Sequence, residues 1–269
     1  MSLIIELFEK LMLKKRWHLF EFDDQSWLPN TLRQLYMNIL GSNKSRVRPF
    51  KRRLIEDLQN EKIRIIHSLC SGNGNFVFLL YTLLHEQKAI KFILSDLFPL
   101  TSEYKRLKSL TDGDIDFIDS PVDATKIQPT FGEWFLMAGS LHHFRENDLE
   151  LIFQRVIDNK GTLIMMENHN RTYAQALKLL LVLPIFSVFV SVFSKPFRLN
   201  RLVFGVILPV VPMMILVDGI ISNFRSYKKV DLDSILYKLS NANGYVINAD
   251  PIRYGAIFTG MYFILFYNN

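Results

Sequence analysis

The chain has 269 residues, of which 49% are hydrophobic and 22% charged, with a net charge of +6 and one cysteine, Cys70. That balance excludes whole-chain disorder, collagen and coiled coil. A lone cysteine excludes an intrachain disulfide scaffold and suits a reducing, cytoplasmic compartment.

The start, MSLIIELFEKLMLKKRW, sets apolar residues at helical spacing with Glu6, Glu9 and Lys10 among them. This predicts an amphipathic helix, packed on its own domain or lying on a membrane surface, and no secretory leader. Trp17, Phe20, Phe22, Trp27 and Leu28 form an aromatic cluster, expected in the core or as a cap over a pocket. A helix is predicted over 31–40, broken by Gly41-Ser42-Asn43. The basic run Lys44, Arg46, Arg48, Lys51, Arg52 and Arg53 reads as a solvated helix face, a patch for anionic lipid or a nucleic-acid patch. No interleaved aromatics, zinc spacing or recognition helix accompany it, so nucleic acid is the weakest of the three. Residues 1–60 are expected to form a helical N-terminal cap on a domain covering 61–269.

From residue 62 the pattern changes. Strands are predicted at 63–69, 90–94, 115–118, 134–138 and 161–166. Helices are predicted at 76–85, 104–110 and 148–157. Such alternation with short connections predicts an α/β fold with a parallel sheet covered on both faces. Ligands of such sheets bind beyond the carboxyl ends of the strands. Gly72, Gly74, Asp96, Asp123, His142, His143 and Glu167 all fall at those ends.

Residues 173–217 break the alternation. The runs 179–193 and 202–217 are nearly free of charge, and each falls short of the roughly 20 residues of a spanning helix. Pro184, Pro209 and Pro212 interrupt them, and Lys195, Arg198 and Arg201 lie at their junction. A hydrophobic helical hairpin is expected, acting as a lid on protein or entering a membrane. A polar turn is predicted over 218–227, a helix over 232–239, and strands over 245–249 and 258–266.

Glycines in Ser71-Gly72-Asn73-Gly74 let backbone N–H groups approach a ligand closely. Asp96 follows Gly74 by 22 residues, the distance of one helix and one strand, and an acid there can accept hydrogen bonds from both ribose hydroxyls. No third glycine with dinucleotide spacing follows, and the phosphate-loop pattern is absent. The adjacent histidines and one cysteine lack zinc-ligand spacing, so no metal is expected.

Together these residues resemble the class I S-adenosylmethionine-dependent methyltransferases. IIHSLCSGNGNF resembles the first motif, which implies that Ser68, Cys70, Ser71, Gly72, Asn73 and Gly74 lie under the methionine part of the cofactor. Asp96 and Leu97, in FILSDL, match the ribose-holding segment, and Asp123-Ala124 the pair beside the adenine. AGSLHHF, beginning at Ala138 and Gly139, resembles the fourth-strand segment, and GTLIMME the fifth strand. The stretch from Asp218 to Tyr227 resembles a lid segment of a poorly characterised bacterial branch. The resemblance covers about residues 62–170 and implies a Rossmann-like seven-stranded sheet with a reversed last strand. Two positions depart from the pattern: Ser68 stands where an acid is usual, and Cys70 replaces the first glycine.

Methyl transfer from a sulfonium is an in-line displacement, so the protein mainly aligns the nucleophile and excludes water. A histidine suits the role of base. One of His142 and His143 is expected to face the methyl and the other to pack, with Glu167 a second candidate. Asp218, Ser222, Arg225 and Tyr227 are expected to line an acceptor pocket under the hairpin, with Arg225 suited to an acidic group. The competing reading makes Asp218 and Arg225 a helix cap with its own salt bridge. Two functions remain open at this level. One is a methyltransferase acting on a small, hydrophobic or lipid-like acceptor. The other is a non-catalytic cofactor-binding partner subunit or membrane-associated assembly factor.

Overall fold

The computed structural model describes residues 16–41, 47–58, 65–85, 89–193, 199–254 and 258–268. The helix expected before Arg16 lies outside them, as do Lys44, Arg46, Lys195 and Arg198.

Seven strands form one sheet in the order β3-β2-β1-β4-β5-β7-β6. They are β1 (Ile65–Leu69), β2 (Lys91–Leu94), β3 (Ile115–Phe117), β4 (Trp134–Ala138), β5 (Thr162–Glu167), β6 (Tyr245–Tyr254) and β7 (Phe258–Tyr267). The first five are parallel, and β7 runs antiparallel to β5 with Leu163 opposite Leu265. This is the α/β Rossmann-like sheet with a reversed last strand. The helices are α1 (Asn30–Gly41), α2 (Val47–Leu58), α3 (Asn75–Leu84), α4 (Thr101–Leu110), α5 (Glu146–Asp158), α6 (Tyr173–Phe193), α7 (Leu199–Leu202), α8 (Val210–Arg225) and α9 (Lys229–Leu236).

The central strands are apolar on both faces because both faces are covered. On β4, Phe135 and Met137 pack against Phe153 and Val156 of α5 and Leu232 of α9. Leu136 points the other way, into a second core with Phe50 and Leu54 of α2, Leu80 of α3 and Leu107 of α4. Along α2 the buried residues Val47, Phe50, Leu54 and Leu58 recur at helical spacing. The opposite side of α2 carries Arg52, 3.3 Å from Glu56, and Arg53, which pairs with Glu56 and Asp250. The described part of the basic run thus lies on the outer face of α2.

Pro251 sits inside β6, which runs five residues beyond its expected end at Ala249. This edge strand tolerates a missing donor.

A third core joins α1 to the apolar insertion. Leu35, Tyr36 and Ile39 meet Leu179 and Leu183 of α6 and Met214 and Ile215 of α8. The insertion differs from the expected pair of short helices. Its first helix is longer, 21 residues, and continues through Pro184. Its second is broken. α7 passes into a π-helical turn, Val203–Ile207, and α8 departs at 64° from that segment. Pro209 ends the turn, while Pro212 sits in the first turn of α8, where a missing N–H costs no intrahelical bond. The polar turn expected over 218–227 is instead mostly the C-terminal half of α8. Its polar residues point inward, to partners far along the chain. The aromatic cluster near residue 20 is core only in part: Leu28 belongs to the third core and Phe22 packs against it. Trp17, Phe20 and Trp27 are exposed, and only Leu28 is buried.

Candidate active site

The turn after β1 brings backbone and carboxylate together. Asp96, just past β2, accepts hydrogen bonds from Gly72 N through Oδ2 and from Phe98 N through Oδ1, each at 2.8 Å. Those bonds hold the carboxylate at the rim of a cavity of about 340 Å³ that Asp96 and Gly72 line. Burial pushes the Asp96 carboxyl above its usual range, against the two backbone donors. Gly74 has a positive φ of 74°, and a Cβ there would meet Leu107 Cδ1 of α4 at 2.6 Å and Leu94 Cδ1 of β2 at 2.8 Å, so α3 starts close against both.

Cys70, Ser71, Asn73, Leu97, Ala138 and Gly139 also line the cavity. Ser68 does not. It is buried, and its Oγ and carbonyl both accept from Ser71 Oγ, at 2.9 and 2.8 Å. The missing acid therefore lies beneath the cavity floor. Cys70 adopts φ 52°, the left-handed conformation for which the usual glycine is suited. Asp123 and Ala124, expected beside the adenine, lie away from the cavity lining. Asp123 Oδ1 caps a short 3-10 helix through Thr125 N (2.9 Å), and Ala124 is buried in the core, so neither lines the cavity.

After β4, Gly139 turns the chain at φ 70°, and a Cβ there would fall 2.3 Å from Asn168 Nδ2. The turn delivers His142 and His143, whose rings lie 4.3 Å apart. Both line the cavity, but their environments divide them. His142 Nδ1 sits 2.7 Å from Glu167 Oε1 at the end of β5. Burial, then the charges of His143 and Arg225, hold the His142 imidazole well below its ordinary value, so it is neutral. Burial pushes Glu167 up to about 7. Glu167 itself has no exposed surface and acts on the cavity only through His142. Burial opposes a charge on His143, but the hydrogen bond to Asp24 and the charge of Glu21 outweigh it and raise His143 to about 9. His143 Nδ1 lies 2.6 Å from Asp24 Oδ1.

Asp24 belongs to a strap, residues 16–29, that crosses the site; its aromatic residues suggest a core or a cap over a pocket, but nothing in the local pattern singles out its acids. Its placement explains the four expected acceptor contacts. Asp218 accepts from Phe22 N (2.9 Å) and Asp23 N (3.2 Å) and so clamps the strap. Arg225 is fully buried, 2.8 Å from Glu21 Oε2 and 2.7 Å from Asp24 Oδ2, and donates to the carbonyl of His142. Tyr227 donates to Phe144 O at 3.0 Å. These three are structural fastenings, because their polar atoms are already engaged within the protein. Ser222 alone of the four lines the cavity, while its hydroxyl donates to Glu21 Oε1. From the strap side, Arg16 bonds the carbonyls of His142 and Phe144.

One ligand atom each from Glu21, His142 and His143 lies within 4.8 Å of the others. The guanidinium of Arg225 already supplies the cation beside Glu21, and the His143 proton a second positive charge.

Asp23 and Arg33 are further cavity residues that carried no motif. Arg33 donates to Asp23 O and Gln25 O, its guanidinium lies 4.2 Å from the Phe98 ring centroid, and its buried Nε has no partner among the described residues. The opposite wall is apolar, formed by Leu179 and Leu183 of α6 and Ile215 of α8.

No protein-family model matches the chain, and no curated protein matches it. Solved structures do. Magnesium protoporphyrin IX methyltransferase from Synechocystis PCC 6803 with bound S-adenosylhomocysteine is 11% identical, with 84% of each chain covered and a TM-score of 0.50. The PH0226 protein of Pyrococcus horikoshii OT3 is 13% identical over 83% of this chain and 91% of that one, with a TM-score of 0.50. Of mitomycin 7-O-methyltransferase, 12% identical with a TM-score of 0.45, the match covers 49%, so the chain spans about half that protein's length. The fold is that of the class I S-adenosylmethionine-dependent methyltransferases.

Proposed function

We propose that the chain binds S-adenosylmethionine and transfers its methyl group to a small, hydrophobic or lipid-like acceptor. One observation carries this reading. Asp96, Gly72, Gly139 and the His142–Glu167 pair converge from four strand ends on one cavity whose far wall is apolar. The residues suit the cofactor. Asp96 keeps lone pairs for ribose hydroxyls, the turns at Gly72 and Gly139 bring backbone to the cavity surface, and the orphaned Nε of Arg33 fits a carboxylate.

The bound cofactor supplies an activated methyl group. The chain's own residues do the rest. Glu167 sets the proton on His142 Nδ1, which leaves Nε2 to take a proton from an acceptor hydroxyl or amine. His143, held as a cation by Asp24, anchors the strap and is not the base. The strap and α6 keep water from the cavity.

Titration with S-adenosylhomocysteine by calorimetry, with Asp96→Ala alongside, tests the reading. Binding that the substitution weakens at least about tenfold supports it, since hydrogen bonds to a charged group contribute about 1.5–3 kcal/mol. No binding by the wild type would favour the non-catalytic alternative, in which the departures at Ser68 and Cys70 disable the site.

A further inference from the structure

Apart from Gln175, Lys178, Ser187 and Ser191, the side chains of α6 are apolar or aromatic. Leu179 and Leu183 face the cavity, while Leu177, Leu180, Leu181, Ile185, Phe189 and Phe193 are exposed. At 100° per residue those six span an arc of about 220°, wider than the roughly 100° stripe a helix buries against protein. Ile207 at the end of the π-helical turn, Leu208 just after it and Met213 of α8 are exposed as well. A second protein presents one side to a helix. A surface this wide and curved calls for a fluid apolar surrounding.

Charge identifies its kind. From residue 168 to residue 217 the chain has no acidic residue. Arg171, buried against Asp231, and Arg201, also buried, do not reach the surface, whereas Lys178 is part-exposed on α6 and the same stretch of sequence adds Lys195 and Arg198. Apolar residues with cations alone suit an anionic lipid surface. The strap packed on α8 adds exposed Trp17 and Trp27, a residue type enriched at membrane interfaces.

We propose that α6, the π-helical turn and the start of α8 dock in the plane of an anionic lipid bilayer. Length alone would let α6 cross a bilayer, at 21 residues. Its packing opposes that. Leu179 and Leu183 are buried against α1, and α1 bonds polar residues of the cavity side. Gln34 donates to Glu103 at 2.8 Å, and Asn38 accepts from Asn73 at 3.0 Å. A spanning α6 would carry those bonds into hydrocarbon.

The full chain is tested by co-sedimentation with vesicles of phosphatidylcholine alone or mixed with phosphatidylglycerol. Sedimentation with the mixed vesicles, weakened several-fold on neutral vesicles or in high salt, is expected. Ile185→Asp/Phe189→Asp should lower it at least about tenfold. Both positions are exposed, so an unchanged circular-dichroism melt serves as the folding control. Phe189→Trp in a Trp17→Phe/Trp27→Phe background reads depth: quenching by lipids brominated near the headgroup supports docking in the plane, and strongest quenching at the chain ends overturns it. Failure to sediment with either vesicle, or wild-type sedimentation by the Asp variant, overturns the proposal. So does a wild-type dimer that the Asp variant dissociates in light scattering without any vesicle binding. Docking does not depend on methyl transfer, because S-adenosylhomocysteine titration of the same protein reports that separately.

Discussion

His142 Nδ1 lies 2.7 Å from Glu167 Oε1, and both side chains are buried. With Glu167 raised to about 7, the pair changes state near neutrality. Above that pH the carboxylate holds the proton on Nδ1 and frees Nε2. Below it the carboxyl brings its own proton and the preference is lost. Methyl transfer should therefore rise with pH to a plateau above about 7. Glu167→Gln should lower kcat roughly hundredfold and flatten that rise, leaving cofactor affinity unchanged. Superposable pH profiles for the two proteins would refute the assignment.

Among the described residues, Arg225 and His143 are the two cations within ion-pair distance of both Glu21 and Asp24. Arg225→Met leaves buried carboxylates with half their compensation, which should destabilise the fold by about 3–5 kcal/mol. Adding Glu21→Gln should recover part of that loss. Urea unfolding of the three proteins measures it, and additive losses would show that the charges do not interact.

His143 makes stability depend on pH. Its folded value of about 9 stands above the ordinary 6.5. The His143⁺–Asp24 pair therefore stabilises fully below about 6.5 and ceases to as pH rises through about 9. The stability difference between wild type and His143→Gln should shrink over that window by up to about 3 kcal/mol. Burial raises Glu21 to about 7, and its contribution also falls as pH rises, between about 4.5 and 7. Denaturant titrations at spaced pH values check both windows. A constant difference across the alkaline one would exclude the ion pair as the source.

Gly139→Ala tests the turn after β4. The new Cβ meets Asn168 at 2.3 Å in a backbone conformation that disfavours side chains. A loss of about 1–3 kcal/mol is expected, together with weaker S-adenosylhomocysteine binding because Asn168 lines the cavity. Thermal melts and calorimetry read the two effects separately.

Much of the sheet was legible because its strands are short apolar runs ended by polar or glycine residues. β4 was read at its observed bounds, Trp134–Ala138, between Glu133 and Gly139. Asp96 was legible for the same reason, as the first acid after an apolar strand. The strap was not. Glu21, Asp23 and Asp24 lie on no regular element, and their partners stand up to 201 residues away. The same distance misled the reading of α8. Ser222 and Arg225 look like turn residues to a local pattern, because only the folded chain shows their inward face to be occupied. Pro184 misled it too, since packing on α1 and α8 keeps α6 continuous through a residue that disfavours helix interiors.

The strap has a consequence for timing. Arg16, His18 and Asp24 all bond the short segment His142–Phe144, two of them through its carbonyls. A strap drawn back to admit a ligand gives up those bonds, and the segment carrying the base loses part of its scaffold. A ligand that displaced the strap would therefore loosen the segment that holds His142, so that opening of the cavity and positioning of that histidine would be coupled through the same three residues.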